Sequence, residues 1–122
     1  MKETNSLTEN TVASALVTGI SGTVYSSAVD FSRCTGYAAI ILTNSAATAT
    51  ITVTQQASSN GSDWYDCVDQ NNSAIGQVQV ITTTATTRYV QFDPVVARWI
   101  RFKIVESAGV TTNVTIRLIF QE

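Results

Sequence analysis

The stretch Ala97-Arg98-Trp99-Ile100-Arg101-Phe102-Lys103-Ile104-Val105 alternates in character from one residue to the next. Ile100, Phe102 and Ile104 fall on one face, and Trp99, Arg101 and Lys103 fall on the other. A period of two is the mark of a half-buried strand, whose successive side chains leave the sheet on opposite sides. The segment Thr112 to Gln121 repeats it, with Val114, Ile116, Leu118 and Phe120 on one face and Asn113, Thr115, Arg117 and Gln121 on the other. The short link Glu106 to Thr111 predicts a hairpin as the simplest connection. Any fold must bury that double apolar face.

The remaining chain follows the same grammar. Residues 1–10 are polar and aperiodic and read as an N-terminal arm, leaving residues 11–122 as one domain. Strands are expected at Thr11–Thr18 and Thr23–Ser27, with an edge strand or ordered loop around Val29 and Phe31. Tyr37–Thr43 is apolar on both faces, which predicts a central strand covered on both sides, or core on one side and a subunit contact on the other. Ala49, Ile51 and Val53 alternate with Thr50, Thr52 and Thr54, where β-branching suits the pleat. Gln55–Ser62 reads as a loop turning at Asn60-Gly61, followed by strands at Asp63–Asp69, Gly76–Ile81 and Thr87–Phe92. Asp93-Pro94 stops the last of these, because proline cannot donate to a ladder. About eight short strands with no helical period predict an all-β, antiparallel two-sheet sandwich. A jelly roll is the natural eight-stranded form, with an immunoglobulin-like sandwich as the alternative.

Composition narrows the function. The chain has 122 residues, of which 13% are charged, and a formal net charge of −2. Only Arg98, Arg101 and Lys103 cluster, so a nucleic-acid partner is disfavoured. The N-terminus lacks the apolar run of a signal peptide and no stretch is long enough to span a bilayer, so a cytoplasmic origin without a membrane partner is expected. In that setting Cys34 and Cys67 read as buried free thiols, with a disulfide open if the protein ends outside a cell. The Asn-x-Ser/Thr tripeptides at Asn60, Asn71 and Asn113 read as chance in a chain rich in these residues.

Catalytic and metal constellations are hard to assemble from these residues. The chain has no histidine, the commonest general base and metal ligand. Two cysteines alone cannot complete a zinc site, and no nucleophile elbow or phosphate-cradling glycine loop is present. Asp63, Asp66 and Asp69 would alternate faces on a strand, and only Asp93 and Glu106 stand as remote acids for a glycosidase-type pair. A calcium site from Asn60, Asp63, Asp66 and Asp69 lacks the ligand order of an EF-hand. The expectation is therefore no enzyme, no cofactor and no metal. The remaining candidates are surface contacts. Trp64, Tyr65, Tyr89 and Trp99 could stack on a sugar or a subunit, and Arg101 with Lys103 borders Trp99. Core packing of Trp64, and solvated stems for Arg101 and Lys103, are the simpler readings.

Two segments carry a resemblance. Ile51–Asp66 looks like the strand, Asn/Asp-Gly turn and following Trp strand of β-sandwich proteins from tailed-bacteriophage virions. Arg88-Tyr89-Val90, with Ala97–Ile104 after it, is similar to their arginine-tyrosine turn and basic penultimate strand. Residues 1–35 carry no such likeness. The resemblance implies a virion structural protein, assembled in the host cytoplasm. More narrowly, it implies a capsid decoration or cement protein that binds the major capsid protein, commonly as a homotrimer. It brings no catalytic residue. The alternative is a carbohydrate- or receptor-binding module of a tail or fibre, using Trp64, Tyr65 and the adjoining loop.

Overall fold

A computed structural model describes residues 7–17, 22–81 and 86–121, and among them there are ten strands and no helix. They are β1 (Leu7–Val17), β2 (Gly22–Tyr25), β3 (Val29–Asp30), β4 (Ala38–Asn44) and β5 (Ile51–Ser58). Then follow β6 (Tyr65–Asp66), β7 (Gln77–Ile81), β8 (Thr86–Phe92), β9 (Trp99–Glu106) and β10 (Thr112–Gln121). One sheet has the order β1-β10-β4-β8. The other runs β2-β9-β5, with β6 and β7 both on the far edge of β5 and β3 beside β2 on β9. All pairings are antiparallel.

Setting aside the two-residue β3 and β6, the sheets read β1-β10-β4-β8 and β2-β9-β5-β7. That is the strand order of a jelly roll, and only the step from β5 to β7 stays within one sheet. The immunoglobulin-like alternative falls, since it keeps its first two strands together whereas β1 and β2 lie in different sheets.

The inward faces follow the alternation. Ile100, Phe102 and Ile104 of β9 are fully buried, as are Val114, Ile116 and Leu118 of β10. The hairpin expected between these strands is not formed: β9 pairs with β2 and β5, and β10 pairs with β1 and β4. Side by side, the two apolar faces would make one wide surface needing a third layer. Placed in opposed sheets, they bury each other. Phe92 of β8 meets Phe102 of β9 edge-on across the gap, with ring centroids 5.9 Å apart at 82°. Phe31 packs on Phe120 at 4.7 Å and closes one side.

The β9–β10 corner is built on a buried acid. Glu106 is 0% exposed, and its carboxylate accepts from the amides of Ala108 (2.7 Å), Gly109 (3.1 Å), Val110 (3.1 Å) and, from the neighbouring strand lead-in, Thr50 (3.3 Å). Gly109 supplies the φ of 80° that lets three successive amides turn toward one carboxylate. Burial pushes the Glu106 carboxyl up, but the amides of Ala108, Thr50, Val110 and Gly109 together outweigh it and hold the pKa below the ordinary glutamate range.

Three other expectations change. Leu7–Asn10, read as part of a polar arm, belong to β1 and pair with Leu118–Gln121, while residues 1–6 of that arm lie outside the described residues. Gln55–Ser58, read as loop, continue β5. Gln55 can enter the interior because its amide donates to the Asp93 carbonyl (3.1 Å) and accepts from Val95 N (3.0 Å), so both ends are satisfied. The strand expected over Asp63–Asp69 shrinks to Tyr65–Asp66 and a single bridge from Val68 to Ala74. Asp69 Oδ1 there accepts from Asn71 N and Ser73 N, and folds the chain into a turn instead.

Candidate functional site

The jelly roll sends the predicted site residues to different surfaces. On the outer face of the β2-β9-β5 sheet, Arg101 is the centre. Its guanidinium carbon lies 4.2 Å from the Tyr25 ring centroid and 4.6 Å from that of Trp64. Arg101 Nε donates to Gln56 Oε1 at 2.8 Å, and Gln56 Nε2 donates to Asp66 Oδ1 at 2.9 Å. The chain arranges this through register: Gln56 pairs with both Arg101 and Asp66. The loop between β5 and β6 closes on itself, with Ser58 Oγ accepting from Asn60 N and Gly61 N, and Asn60 Oδ1 accepting from Ser62 N and Asp63 N. Gly61 then rests on Trp99, where a Cβ would lie 3.7 Å from the indole, and the following Trp64 covers Arg101.

Trp64 and Trp99 are thus half-buried in intrachain packing, and Lys103 stands one step further along β9. Replacing Arg101 with lysine keeps the charge but loses the planar group that fits both rings. Arg101→Lys is expected to reduce stability by about 1–2 kcal/mol, read as a lower urea midpoint at unchanged m. An unshifted midpoint would mean that the stack does not persist in solution.

Tyr65 is 63% exposed and stands away from this cluster, over a concavity of about 340 Å³ that it shares with Ser58, Ser59, Arg98 and a fully exposed Val96. Tyr89 is on the other sheet altogether. There it heads an outer face of aromatic, aliphatic and threonine side chains whose rows follow the register: Gln91, Ala39 and Ile119 in one, Tyr89, Ile41 and Arg117 in the next, then Thr87, Thr43 and Thr115. Tyr37 and Tyr89 are 61% and 66% exposed, and with Ala39 and Ile119 they line a concavity of about 250 Å³. A second, of about 320 Å³, adjoins it over Ile41 and the threonine row. Arg117 is the one charged side chain among the described outward positions of β4, β8 and β10. β4 is central in its sheet, as expected of Tyr37–Thr43, with Ile40 and Leu42 in the core and its outward residues on this face. Tyr37 and Ile119 were missed as partners of Tyr89 because sequence alternation does not reveal which strands are neighbours. Tyr25, Gln56 and Asp66 were missed around Arg101 for the same reason.

The remaining acids are dispersed. Asp63 is held by Asn60 Nδ2 at 2.8 Å, Asp66 by Gln56 and Asp69 by its own turn, so the calcium ligands proposed from spacing do not converge. Among the described residues no three His, Cys, Asp or Glu side chains gather in a metal-binding group. Glu106 faces only backbone amides. Cys34 and Cys67 are free and half-buried rather than buried. Burial, and then the Asp66 charge, push the Cys67 thiol up, away from a reactive thiolate.

By its fold the chain is a two-sheet jelly-roll sandwich. No family model matches it, and no curated protein matches it. Among solved structures, the SPBc2 prophage-derived protein YomS superposes with a TM-score of 0.49 at 12% identity, over 96% of this chain and 94% of that one. PirA superposes with a TM-score of 0.46 at 13% identity, over 99% and 97% of the two chains. Neither likeness assigns a residue or a function to this protein.

Proposed function

We propose that the protein is a structural component of a tailed-phage virion, a decoration protein that binds the major capsid protein and stabilises the head shell. The observation that carries this reading is the outer face of the paired β10, β4 and β8, where Tyr37, Tyr89, Ala39, Ile41 and Ile119 form a surface with Arg117 as the one charged side chain among its described outward positions. Exposed tyrosines around an apolar centre, with charge depleted, are the composition of a protein interface core. The resemblance of Ile51–Asp66, Arg88–Val90 and Ala97–Ile104 to phage virion sandwiches supplies the setting. Self-association as a homotrimer would multiply weak single contacts into firm attachment.

Light scattering on the purified chain, followed by sedimentation with empty capsids of its virus, tests the proposal. The wild type is expected to run as a trimer and to pellet with capsids. Tyr89→Asp places a charge on this exposed face, on its edge strand, without touching the core, and is expected to weaken capsid binding by roughly 30-fold or more. A monomer that stays in the supernatant overturns the reading.

A further inference from the structure

We propose that the opposite sheet carries a second site, a groove for an uncharged saccharide unit between Lys103 and Asp66. The floor is the outer face of paired β5 and β9, where Thr54 stands opposite Lys103 and Thr52 opposite Val105. One wall is the excursion from Asp66 to Gly76, and the concavity between wall and floor is about 350 Å³, a size suited to a small ligand.

The wall is fixed in place. Ile75 N donates to the Cys67 carbonyl at 3.0 Å, and Asp69 closes the turn between them. Gly76 then seats directly on β5: its carbonyl accepts from Gln55 N at 2.7 Å, and a Cβ at Gly76 would come within 2.8 Å of the Gln55 carbonyl oxygen. The groove is therefore preformed, which lowers the ordering cost of binding.

Its chemistry selects the ligand. Asp66 is oriented by the Arg101–Gln56 relay through Oδ1, and Oδ2 accepts no hydrogen bond among the described residues. Lys103 makes no ion pair among the described residues. An ammonium donor, a carboxylate acceptor and two threonine hydroxyls that can do either suit adjacent hydroxyl groups. Val105 and Cys67 offer apolar surface to the C–H face of a sugar ring. One cation balances one anion, so a phosphate would meet Asp66 and a metal ion would meet Lys103. An extended peptide finds no strand edge here, because β5 and β9 are paired on both sides. This site does not use Trp64 as a stacking platform, since Arg101 already lies over its ring. It is also independent of the capsid contact, which uses the other sheet.

The test is a titration of the ¹⁵N-labelled full chain with methyl pyranosides of glucose, galactose, mannose, N-acetylglucosamine and rhamnose, followed by amide shifts. At least one is expected to move amides in 52–54, 66–76 and 103–105, with a dissociation constant on the order of 1 mM. Lys103→Met and Asp66→Asn are each expected to weaken that binding about 10-fold or more, with spectra otherwise superposable on the wild type. Should Lys103→Met fail to fold, Asp66→Asn and Thr54→Val give the same reading. No shift with any of the five glycosides, shifts confined to other surfaces, or undiminished binding by the folded variants would each overturn the proposal.

Discussion

Phe102→Ala is expected to destabilise the protein by about 3–5 kcal/mol. For a chain of 122 residues that corresponds to a fall in Tm of roughly 12–20 °C. Phe102 is fully buried at the middle of β9 and meets Phe92 of β8 across the two sheets. Truncation removes the apolar surface of a whole ring and leaves a cavity between two sheets that are each held by antiparallel ladders. Neither sheet can move inward without breaking its own register, so little of the void can close. Phe102→Leu retains most of the volume and is expected to lose less, about 1–1.5 kcal/mol. Urea denaturation of the three proteins measures both values. A loss below about 1 kcal/mol for Phe102→Ala would mean that the sheets do not meet at this ring.

The second large effect belongs to Glu106, and it carries a pH signature. Glu106→Ala leaves the amides of Thr50, Ala108, Gly109 and Val110 without their acceptor at a buried corner, and a loss of roughly 10 °C in Tm is expected. Glu106→Gln keeps one accepting oxygen and is expected to lose less. The native carboxyl has a lower pKa than the same group in the unfolded chain. At neutral pH both forms are ionised, and the stabilisation is fully present. As pH falls below the ordinary glutamate range, the unfolded chain takes up the proton first, so stability declines until the lower native pKa is reached. Tm measured against pH should therefore drop more steeply for the wild type than for Glu106→Gln across that acidic window. Parallel profiles would show that the carboxylate contributes nothing to the corner.

Much of the fold is legible in the residue pattern. The alternation in Ile100–Ile104 and Val114–Phe120 named core residues that are indeed buried. The same pattern could not say whether β9 and β10 lie side by side or face to face, because both arrangements use identical inward residues. Glu106 was visible as a possible active-site acid, but a carboxylate that closes a loop and one that performs chemistry look alike in a sequence. Gln55 and Gln56 were read with the loop that turns at Asn60-Gly61, and their partners on Asp93, Val95, Asp66 and Arg101 are what hold them in a strand.

The candidate surfaces divide in the same way. Tyr89 and Trp64 stood out as unusual aromatic residues, and their separation onto opposite sheets followed only from the jelly-roll crossings. What the sequence by itself determined was the all-β class, the inward faces of β9, β10 and the first half of β5, and the scarcity of catalytic side chains. Those depend on local period and composition, which each segment carries alone. What only the tertiary structure decided was the neighbours: Tyr37 beside Tyr89, Trp64 over Arg101, and Lys103 across a groove from Asp66. Neighbours are set by which strands share a sheet, and that choice is made by burying two apolar faces against each other over the whole chain.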